Sequence, residues 1–347
     1  MNINIVALDL PSGMHADFGN AQGACVHATH TFCLGLYKQG LIQDHVVDYV
    51  GKLHFIDIGL SHSSQLNSQR LIGLHKKINL NKYTNGVCLL FAGSNKYPGA
   101  GILCAQGAMA AGAGYVQLSC TEEVKYLTVS KIPDVVCHNL NDSLMQIEKH
   151  VKNENFAILC GSGIDDNCYL NLIVEKINSR NKKFPCLVID ATSLNSQNYS
   201  FIKEYKGPKI LTPHMGEFAK IFPHIHEKML VENSSQINAS SLNKIDAVKM
   251  AAQEINGIIL LKGPHTVIAN EMGETYVDIK STSALARAGC GDVLAGLITG
   301  LAAKGYSPFV AACLGVFIHS KSAIELEELF GSSYVSASHL AEAIKNF

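Results

Sequence analysis

The chain reads Ala286-Arg-Ala-Gly-Cys-Gly-Asp-Val-Leu-Ala-Gly296 and continues directly into an apolar run at residues 297–303. Gly289 and Gly291 bracket one small residue, so the backbone can turn tightly and bring its N–H groups close to a ligand. A helix that begins at once aims its partially positive N-terminus at that ligand. Asp292 adds one carboxylate beside this anion hole, which suits a hydroxyl that is deprotonated while a phosphate is held. The stretch therefore predicts a phosphoryl-transfer site, and a simple turn with an Asp cap is the equal alternative when the stretch is taken alone.

The composition allows a large α/β protein and excludes some partners. With 347 residues, 47% hydrophobic and only 16% charged, the chain can form one large domain plus an extra element, or two medium domains. The formal net charge is −1 and there is no cluster of Lys and Arg, so we expect no nucleic-acid partner. The low charge content is compatible with buried contacts in a homo-oligomer.

The cysteines and the N-terminus indicate a cytoplasmic protein. The eleven cysteines include no Cys-x-x-Cys pair, and several lie inside apolar runs, which favours a reducing compartment. No basic region precedes the first apolar stretch, and Asp9 interrupts that stretch too early for a signal peptide. The longest uncharged stretch, between Lys96 and Glu122, is broken by glycines, so it predicts a buried helix and a strand rather than a membrane span.

Apolar strand-like runs alternate with helical stretches beyond a polar connection at residues 67–85. Continuous apolar strands separated by helices predict a parallel sheet covered on both faces, with ligands at the carboxyl ends of the strands. The predicted strands cover residues 87–92, 115–119, 156–160, 186–190, 209–211, 257–262 and 266–269. In addition, a surface helix with a loop is predicted within residues 230–246.

Further motifs follow these predicted strands, and each is weak by itself. His214 and Glu217 lie three residues apart in a Thr-Pro-His-Met-Gly-Glu turn, so the histidine can bond a polar substrate and the glutamate can hold a metal-bound water. Lys262 ends an apolar strand, where a cation suits a nucleotide phosphate. The ordinary alternatives are a helix cap and a lysine that reaches solvent. Two Gly-rich turns complete the set, Phe91-Ala-Gly-Ser-Asn-Lys-Tyr-Pro-Gly-Ala-Gly101 and Leu159-Cys-Gly-Ser-Gly-Ile-Asp165. The first is predicted to open an Ala-rich helix at residues 102–111.

The set and order of these motifs resembles the ADP/ATP-dependent NAD(P)H-hydrate dehydratase family over roughly residues 85–347. The resemblance implies a ribokinase-like fold, with three α/β/α layers around a central, mostly parallel sheet. It also implies repair of damaged nicotinamide cofactors, with Mg²⁺ and with ADP or ATP as co-substrate. The nucleotide would phosphorylate the ring hydroxyl of the S epimer of NADHX or NADPHX, the hydrates, and loss of phosphate would restore NADH or NADPH.

The resemblance also assigns roles to residues. Asp292 would be the catalytic base, and Glu217 would hold Mg²⁺. The anion hole would be formed by Gly289, Cys290 and Gly291. The nucleotide would be bound by Lys262, Gly263, Pro264, His265, Thr266 and Gly291. The substrate would contact Ala100, Gly163, His214 and Asp292.

Two stretches depart from the family pattern. Residues 281–287 read Ser-Thr-Ser-Ala-Leu-Ala-Arg where the family has a Gly-rich loop, which restricts φ there. We expect Arg287, beside the anion hole, to be neutral or helpful. The second departure is Asp190-Ala-Thr-Ser-Leu-Asn195, which lacks the second carboxylate of the family motif.

Residues 1–62 resemble the last third of an NAD(P)H-hydrate epimerase domain, chiefly through Ala7-Leu-Asp-Leu-Pro-Ser-Gly13. Asp9 and Ser12 match its substrate- and potassium-contacting positions. A piece of about 60 residues has little chance of closing its own core. We therefore expect no epimerase activity from this chain alone, whether it is a shortened bifunctional enzyme or a piece that packs against a partner. Residues 63–84 are predicted to be a linker, and residues 85–347 a dehydratase domain.

Two other functions stay open at this point. A small-molecule kinase of the same fold, for a vitamin precursor or a sugar, would keep the Gly-x-Gly-Asp site and release a stable phosphoryl product. His214 argues against it, because such kinases tend to have Asn there. The other alternative is a non-catalytic nucleotide-binding remnant, which the altered loop at residues 281–287 suggests.

Overall fold

Two β-sheets organise the chain. The smaller sheet has three parallel strands in the order β1-β2-β3, formed by Val6–Leu8, His30–Leu34 and Lys52–Ile56. A short helix, α1 (Val47–Val50), precedes β3. The computed structural model describes residues 3–21, 23–60, 81–165, 168–179, 183–229, 241–279 and 282–344.

The larger sheet carries the alternating pattern and has nine strands in the described residues, in the spatial order β12-β11-β10-β9-β8-β7-β4-β5-β6. All neighbouring pairs are parallel except β10–β11 and β11–β12. The strands are β4 (Val87–Phe91), β5 (Tyr115–Ser119), β6 (Val136–His138), β7 (Phe156–Cys160), β8 (Cys186–Ile189), β9 (Lys209–Leu211), β10 (Ile258–Leu261), β11 (Thr266–Ala269) and β12 (Thr275–Asp278).

Seven of these strands were expected, and the parallel core is confirmed. Strands β6 and β12 were not expected, because their residues are mostly half-buried and form no continuous apolar run. The antiparallel edge was not expected either. Only four residues separate β10 from β11, which is too short for a parallel crossover, so these strands pair as a hairpin.

Helices cover both faces of the large sheet. Successive residues of β4 point to opposite faces: Cys88 and Leu90 belong to one buried cluster, and Leu89 and Phe91 to the other. The first cluster packs α2 (Pro98–Ala110), α3 (Glu122–Lys131), α10 (Cys290–Ala303), α11 (Pro308–Phe330) and α12 (Ala337–Ile344). The second packs α4 (Leu140–His150), α5 (Cys168–Asn178), α6 (Tyr199–Glu204), α7 (Met215–Ile221), α8 (Pro223–Met229) and α9 (Lys244–Ile255). The predicted three-layer α/β/α fold is confirmed.

Two helix predictions need correction. The helix after the first Gly-rich turn begins at Pro98, four residues before the expected Ile102, because proline is well tolerated at the first helical position. In the described part of residues 230–246, where a surface helix with a loop is predicted, only residues 244–246 are helical. Residues 241–243 are non-helical and α9 begins at Lys244 with a largely buried face, while residues 230–240 lie outside the described residues.

Among the described helices, α11 alone is long and apolar enough to cross a membrane by length and composition. Of its most apolar window, 61% is buried inside the protein. A mostly buried core helix passes the same test, so this helix is weak evidence for a membrane span.

The N-terminal residues have a small buried cluster of their own and also pack on the large domain. A small buried cluster joins Met14, Cys33, Leu41, Val46 and Val50. Ile42 belongs instead to the second cluster of the large domain, so the two units share buried surface. Most of the predicted linker, residues 63–80, lies outside the described residues, and residues 81–84 form a turn held by the Asn81 side chain.

Candidate active site

The Gly-Cys-Gly-Asp stretch forms the start of α10, as predicted. Gly289 precedes the helix with φ of +91°, a left-handed conformation that favours glycine. A Cβ at this position would lie 2.6 Å from Leu103 Cδ1 and 2.8 Å from Ala337 Cβ. Asp292 lies in the first turn of the helix, where unpaired backbone N–H groups and the helix dipole favour an anion.

Asp292 is a carboxyl group with a strongly perturbed proton affinity. Burial and the negative charge of Asp190 raise its pKa to about 7, while Lys262 and Ser162 act in the opposite direction. A carboxyl with this pKa is partly ionised near neutral pH and can both accept and release a proton. The side chain predicted to be the base therefore has the proton affinity that a base needs.

A buried hydrogen-bond network around Asp190 supports this centre. Its Oδ1 accepts bonds from Thr212 Oγ1 at 2.7 Å and from Lys262 Nζ at 3.0 Å. Its Oδ2 accepts a bond from Ser162 Oγ at 2.8 Å. These roles of Asp190, Ser162 and Thr212 were not predicted from the sequence. The signal was present, because each residue follows the end of a buried strand, where ligand sites of parallel sheets form.

Lys262 joins this network to the anion hole. Burial alone would lower its pKa, but Asp190, Glu217 and Asp292 together raise the pKa above the ordinary lysine value. Lys262 is therefore a cation. A Cβ added to Gly291 would lie 3.6 Å from Lys262 Nζ, so the lysine lies beside the start of α10. Lys262 and Gly291, both predicted to bind the nucleotide, are therefore close to each other.

His214 and Glu217 form a capping box at the start of α7. The backbone N–H of His214 donates to Glu217 Oε2 at 2.8 Å, and that of Glu217 donates to His214 Nδ1 at 3.2 Å. The backbone N–H of Lys262 donates to the Pro213 carbonyl at 2.8 Å. The ordinary alternative, a helix cap, is thus what the structure shows, and it places both side chains next to the strand end that carries Lys262.

Two of the predicted substrate-contacting residues are neighbours. Gly163 has φ of +66°, and a Cβ there would lie 2.4 Å from Ala100 Cβ and 3.1 Å from Tyr97 Cβ. Cys104 lies on the same helix, α2. Burial raises the pKa of its thiol, and the nearby Asp292 carboxylate raises it further. The Gly-Ser-Gly loop and α2 therefore form one wall of the site around Asp292.

The loop at residues 263–266 connects β10 and β11. Gly263 and Pro264 are exposed, and His265 is half-buried. Nδ1 of His265 is buried and, within the described part of the chain, has no hydrogen-bond partner. Burial and the charge of Lys244 lower the pKa of this imidazole, so it is neutral.

His319 and Arg287 support the helix start from outside. The Nε2–H group of His319 donates to the Cys290 carbonyl at 2.9 Å, and burial lowers the pKa of this histidine to about 4. Arg287 Nη2 donates to the Ser332 carbonyl at 3.2 Å. Thr282 caps the short turn that precedes Arg287 and contacts Glu327, whereas Ser281 lies outside the described residues.

The remaining predicted site residues, Asp9 and Ser12, belong to the N-terminal unit. Asp9 and Ser12 follow β1 in the small sheet. Burial alone would raise the pKa of Asp9, but Lys38 and the Leu34 N–H lower it, because both donate to its carboxylate.

The described residues contain no cluster of three or more His, Cys, Asp or Glu side chains arranged to hold a metal.

Comparison with known proteins extends these observations. A family model described as NAD(P)H-hydrate dehydratase matches residues 88–346, and one described as YjeF-related protein N-terminus matches residues 1–40. A bifunctional NAD(P)H-hydrate repair enzyme of Synechocystis sp. is 31% identical, over 98% of this chain and 66% of the relative. One of Gloeobacter violaceus is 32% identical, over 92% of this chain and 64% of the relative. The chain thus spans slightly less than two thirds of the length of these relatives.

Solved structures with a similar fold agree with the match to the dehydratase family. An ADP/ATP-dependent NAD(P)H-hydrate dehydratase of Bacillus subtilis, co-crystallised with ATP and Mg²⁺, superposes with a TM-score of 0.65. It is 26% identical and covers 78% of this chain and 92% of its own. A ribokinase-like superfamily protein of Enterococcus faecalis has the same TM-score at 19% identity, over 83% of this chain and 96% of its own. The latter shows the fold alone, and it confirms the ribokinase-like prediction.

Proposed function

This chain belongs to the NAD(P)H-hydrate dehydratase family, and from that membership we propose that it uses ADP or ATP to dehydrate the hydrates of NADH and NADPH. The observation that carries the proposal is Asp292, a half-buried carboxyl with a pKa of about 7 at the start of α10, beside Lys262. ATP and Mg²⁺, with which the Bacillus subtilis relative was co-crystallised, support the same co-substrate and ion here.

The mechanism follows from the placement of these groups. Asp292 takes the proton of the ring hydroxyl of the S epimer, and the hydroxyl oxygen then attacks the terminal phosphorus of the nucleotide. The bond between that phosphorus and the rest of the nucleotide breaks, and the N-terminus of α10 stabilises the developing charge together with Lys262. Cleavage of the carbon–oxygen bond, with loss of a proton from the adjacent ring carbon to water, then releases phosphate and forms the ring double bond that restores the nicotinamide.

Glu217 is the proposed residue for Mg²⁺. Its Oε2 is used in the helix cap, and its Oε1 lies 3.6 Å from His214 Nε2. Mg²⁺ is commonly held by one or two carboxylates together with phosphate oxygens and water, so a single glutamate fits this role. When bound, the ion would neutralise charge on the phosphates.

The other proposed contacts rest on proximity to Asp292 and Lys262. Ala100, Gly163 and His214 would contact the hydrate, with the exposed imidazole of His214 offering a hydrogen bond. The nucleotide would lie against residues 262–266 and the start of α10. The buried, unpartnered Nδ1 of His265 supports this placement, because a buried polar atom left without a partner is costly.

A cytoplasmic location is also part of the proposal. The ten cysteines that the structure characterises are all free thiols, which supports a reducing compartment. The low charge content is compatible with a homo-oligomer, and the absence of a nucleic-acid partner stays a prediction.

The direct test is regeneration of NADH from its hydrate, followed by absorbance, with Mg²⁺ and with ADP, ATP or no nucleotide. We expect recovery only with a nucleotide and only from one epimer. Nucleotide binding without recovery contradicts the proposal and favours a non-catalytic remnant. A stable phosphoryl product from a vitamin precursor or a sugar favours a kinase of the same fold.

A further inference from the structure

A buried ion pair joins the N-terminal unit to the large domain. Lys244 Nζ lies 2.6 Å from Asp44 Oδ1, and the lysine side chain is only 2% exposed. Burial lowers the pKa of Lys244, and the Asp44 carboxylate opposes that effect. A lysine this deeply buried depends on its partner, because removing one member of a buried pair leaves an uncompensated charge.

The pair lies directly against the loop that we propose to bind the nucleotide. Lys244 Nζ also donates to the His265 carbonyl at 2.7 Å. A Cβ on Gly263 would lie 2.6 Å from Lys244 Nζ and 2.9 Å from Asp44 Oδ2. The absence of a side chain at residue 263 thus permits the close approach. One ammonium group therefore links Asp44 to the backbone of the loop.

Further contacts fix the N-terminal unit at this place. The Gln43 side chain accepts a hydrogen bond from the backbone N–H of Lys244 at 2.9 Å, and Gln39 accepts one from Asn243 Nδ2 at 2.6 Å. Ile42, between these residues, is buried in the core of the large domain. The segment from Gln39 to Asp44 is therefore held on the start of α9 by polar and apolar contacts together.

We infer that the N-terminal unit is a working part of the nucleotide site, because Asp44 acts through Lys244 to hold the loop at residues 263–265 in its binding conformation. The inference rests on the proposed function. Asp44 does not repel a phosphate in this arrangement, because Lys244 neutralises its charge. Asp44 is a positioning residue, and its effect falls on the nucleotide rather than on the chemical step.

The test compares Asp44→Asn with Asp48→Asn, which alters an exposed acid of the same unit. Asp44→Asn is expected to raise the KM and the Kd of ADP or ATP about tenfold, within the usual range of coupling between sites. The kcat and the KM for the hydrate are expected to stay within about twofold, because the transition-state contacts are unchanged. Asp44→Glu should restore part of the nucleotide affinity, and Asp48→Asn should change nothing.

A second variant keeps the test decisive if Asp44→Asn fails to fold. The double change Asp44→Asn with Lys244→Met removes both charges, so no unpaired charge stays buried. It should show the same loss of nucleotide affinity, measured by calorimetry on the full chain. Unchanged affinity in either folded variant contradicts this inference alone, whereas a wild-type chain that binds no nucleotide contradicts the proposed function.

Discussion

Asp292 concentrates the proposed chemistry in one side chain, because burial and Asp190 hold a proton on it up to neutral pH. Asp292→Asn removes the base and keeps the shape of the side chain. We expect turnover to fall by about 10²–10⁴-fold, the usual contribution of a general base, with nucleotide affinity largely intact. Turnover and nucleotide Kd are measured on the same preparation. Asp165→Asn, in the exposed end of the Gly-Ser-Gly loop, is the matched control, and unchanged turnover in Asp292→Asn would remove Asp292 from its role.

The same pKa predicts a pH dependence. A base must be ionised to accept a proton, and the pKa of Asp292 is raised to about 7. Turnover should therefore fall as pH decreases through about 7, approaching a tenfold loss per pH unit well below it. The measurement is kcat/KM from pH 5 to pH 9, with nucleotide saturating. A rate that stays constant from pH 5 to pH 8 contradicts Asp292 as the base.

At the scale of the element, the start of α10 depends on Gly289. Gly289→Ala imposes a Cβ on a left-handed backbone and drives it into Leu103 and Ala337. We expect the free energy of unfolding to fall by about 2 kcal/mol or more, since strain at such a position typically costs about 1–3 kcal/mol before any clash. Gly273→Ala is the matched control, because Gly273 has φ of +82° and open space around it. Denaturant titration should show the larger loss for Gly289→Ala, and equal losses would mean that packing at the helix start contributes nothing.

The large sheet shows which elements a sequence reveals. Strand β4 is buried along its whole length, so it appears as a continuous apolar run and was predicted within one residue. Strand β12 is mostly half-buried, and an edge strand of that kind has no period or composition that separates it from a loop. Its antiparallel pairing with β11 depends on the short connections at that edge.

The candidate active site likewise contains residues that the sequence reveals and residues that it does not. Asp292 was predictable because the turn, the helix start and the carboxylate are contiguous in the chain. Ser162, Asp190 and Thr212 each follow a strand that the sequence reveals, but their network was not predicted, because only the order of the strands in the sheet shows which strand ends meet. The Asp44–Lys244 pair spans two units and has no signature in the sequence at all.

At the scale of the whole molecule, the two sheets differ in how completely they are covered. The large sheet lies between two layers of helices, whereas the small sheet leaves apolar side chains in solvent. Leu8 is 72% exposed, Val6 53% and Ile56 38%. Its hydrogen bonds and ion pair with the start of α9 run through residues 39–44. The unit is therefore attached firmly where it meets the nucleotide loop and incompletely covered near the epimerase-like residues.

This difference leads to the prediction that the chain does not interconvert the two hydrate epimers. The Asp9 carboxylate is engaged by Lys38 and by the backbone N–H of Leu34, and burial is too slight to hold a proton on it. The measurement follows the unreactive epimer of NADH hydrate, incubated with the purified chain and no nucleotide, against a sample without protein. A bifunctional relative such as the Synechocystis enzyme is the positive control. The decisive result is the difference in rate between the two samples: we expect none, and an added rate that Asp9→Asn abolishes would show that the small sheet is a working epimerase.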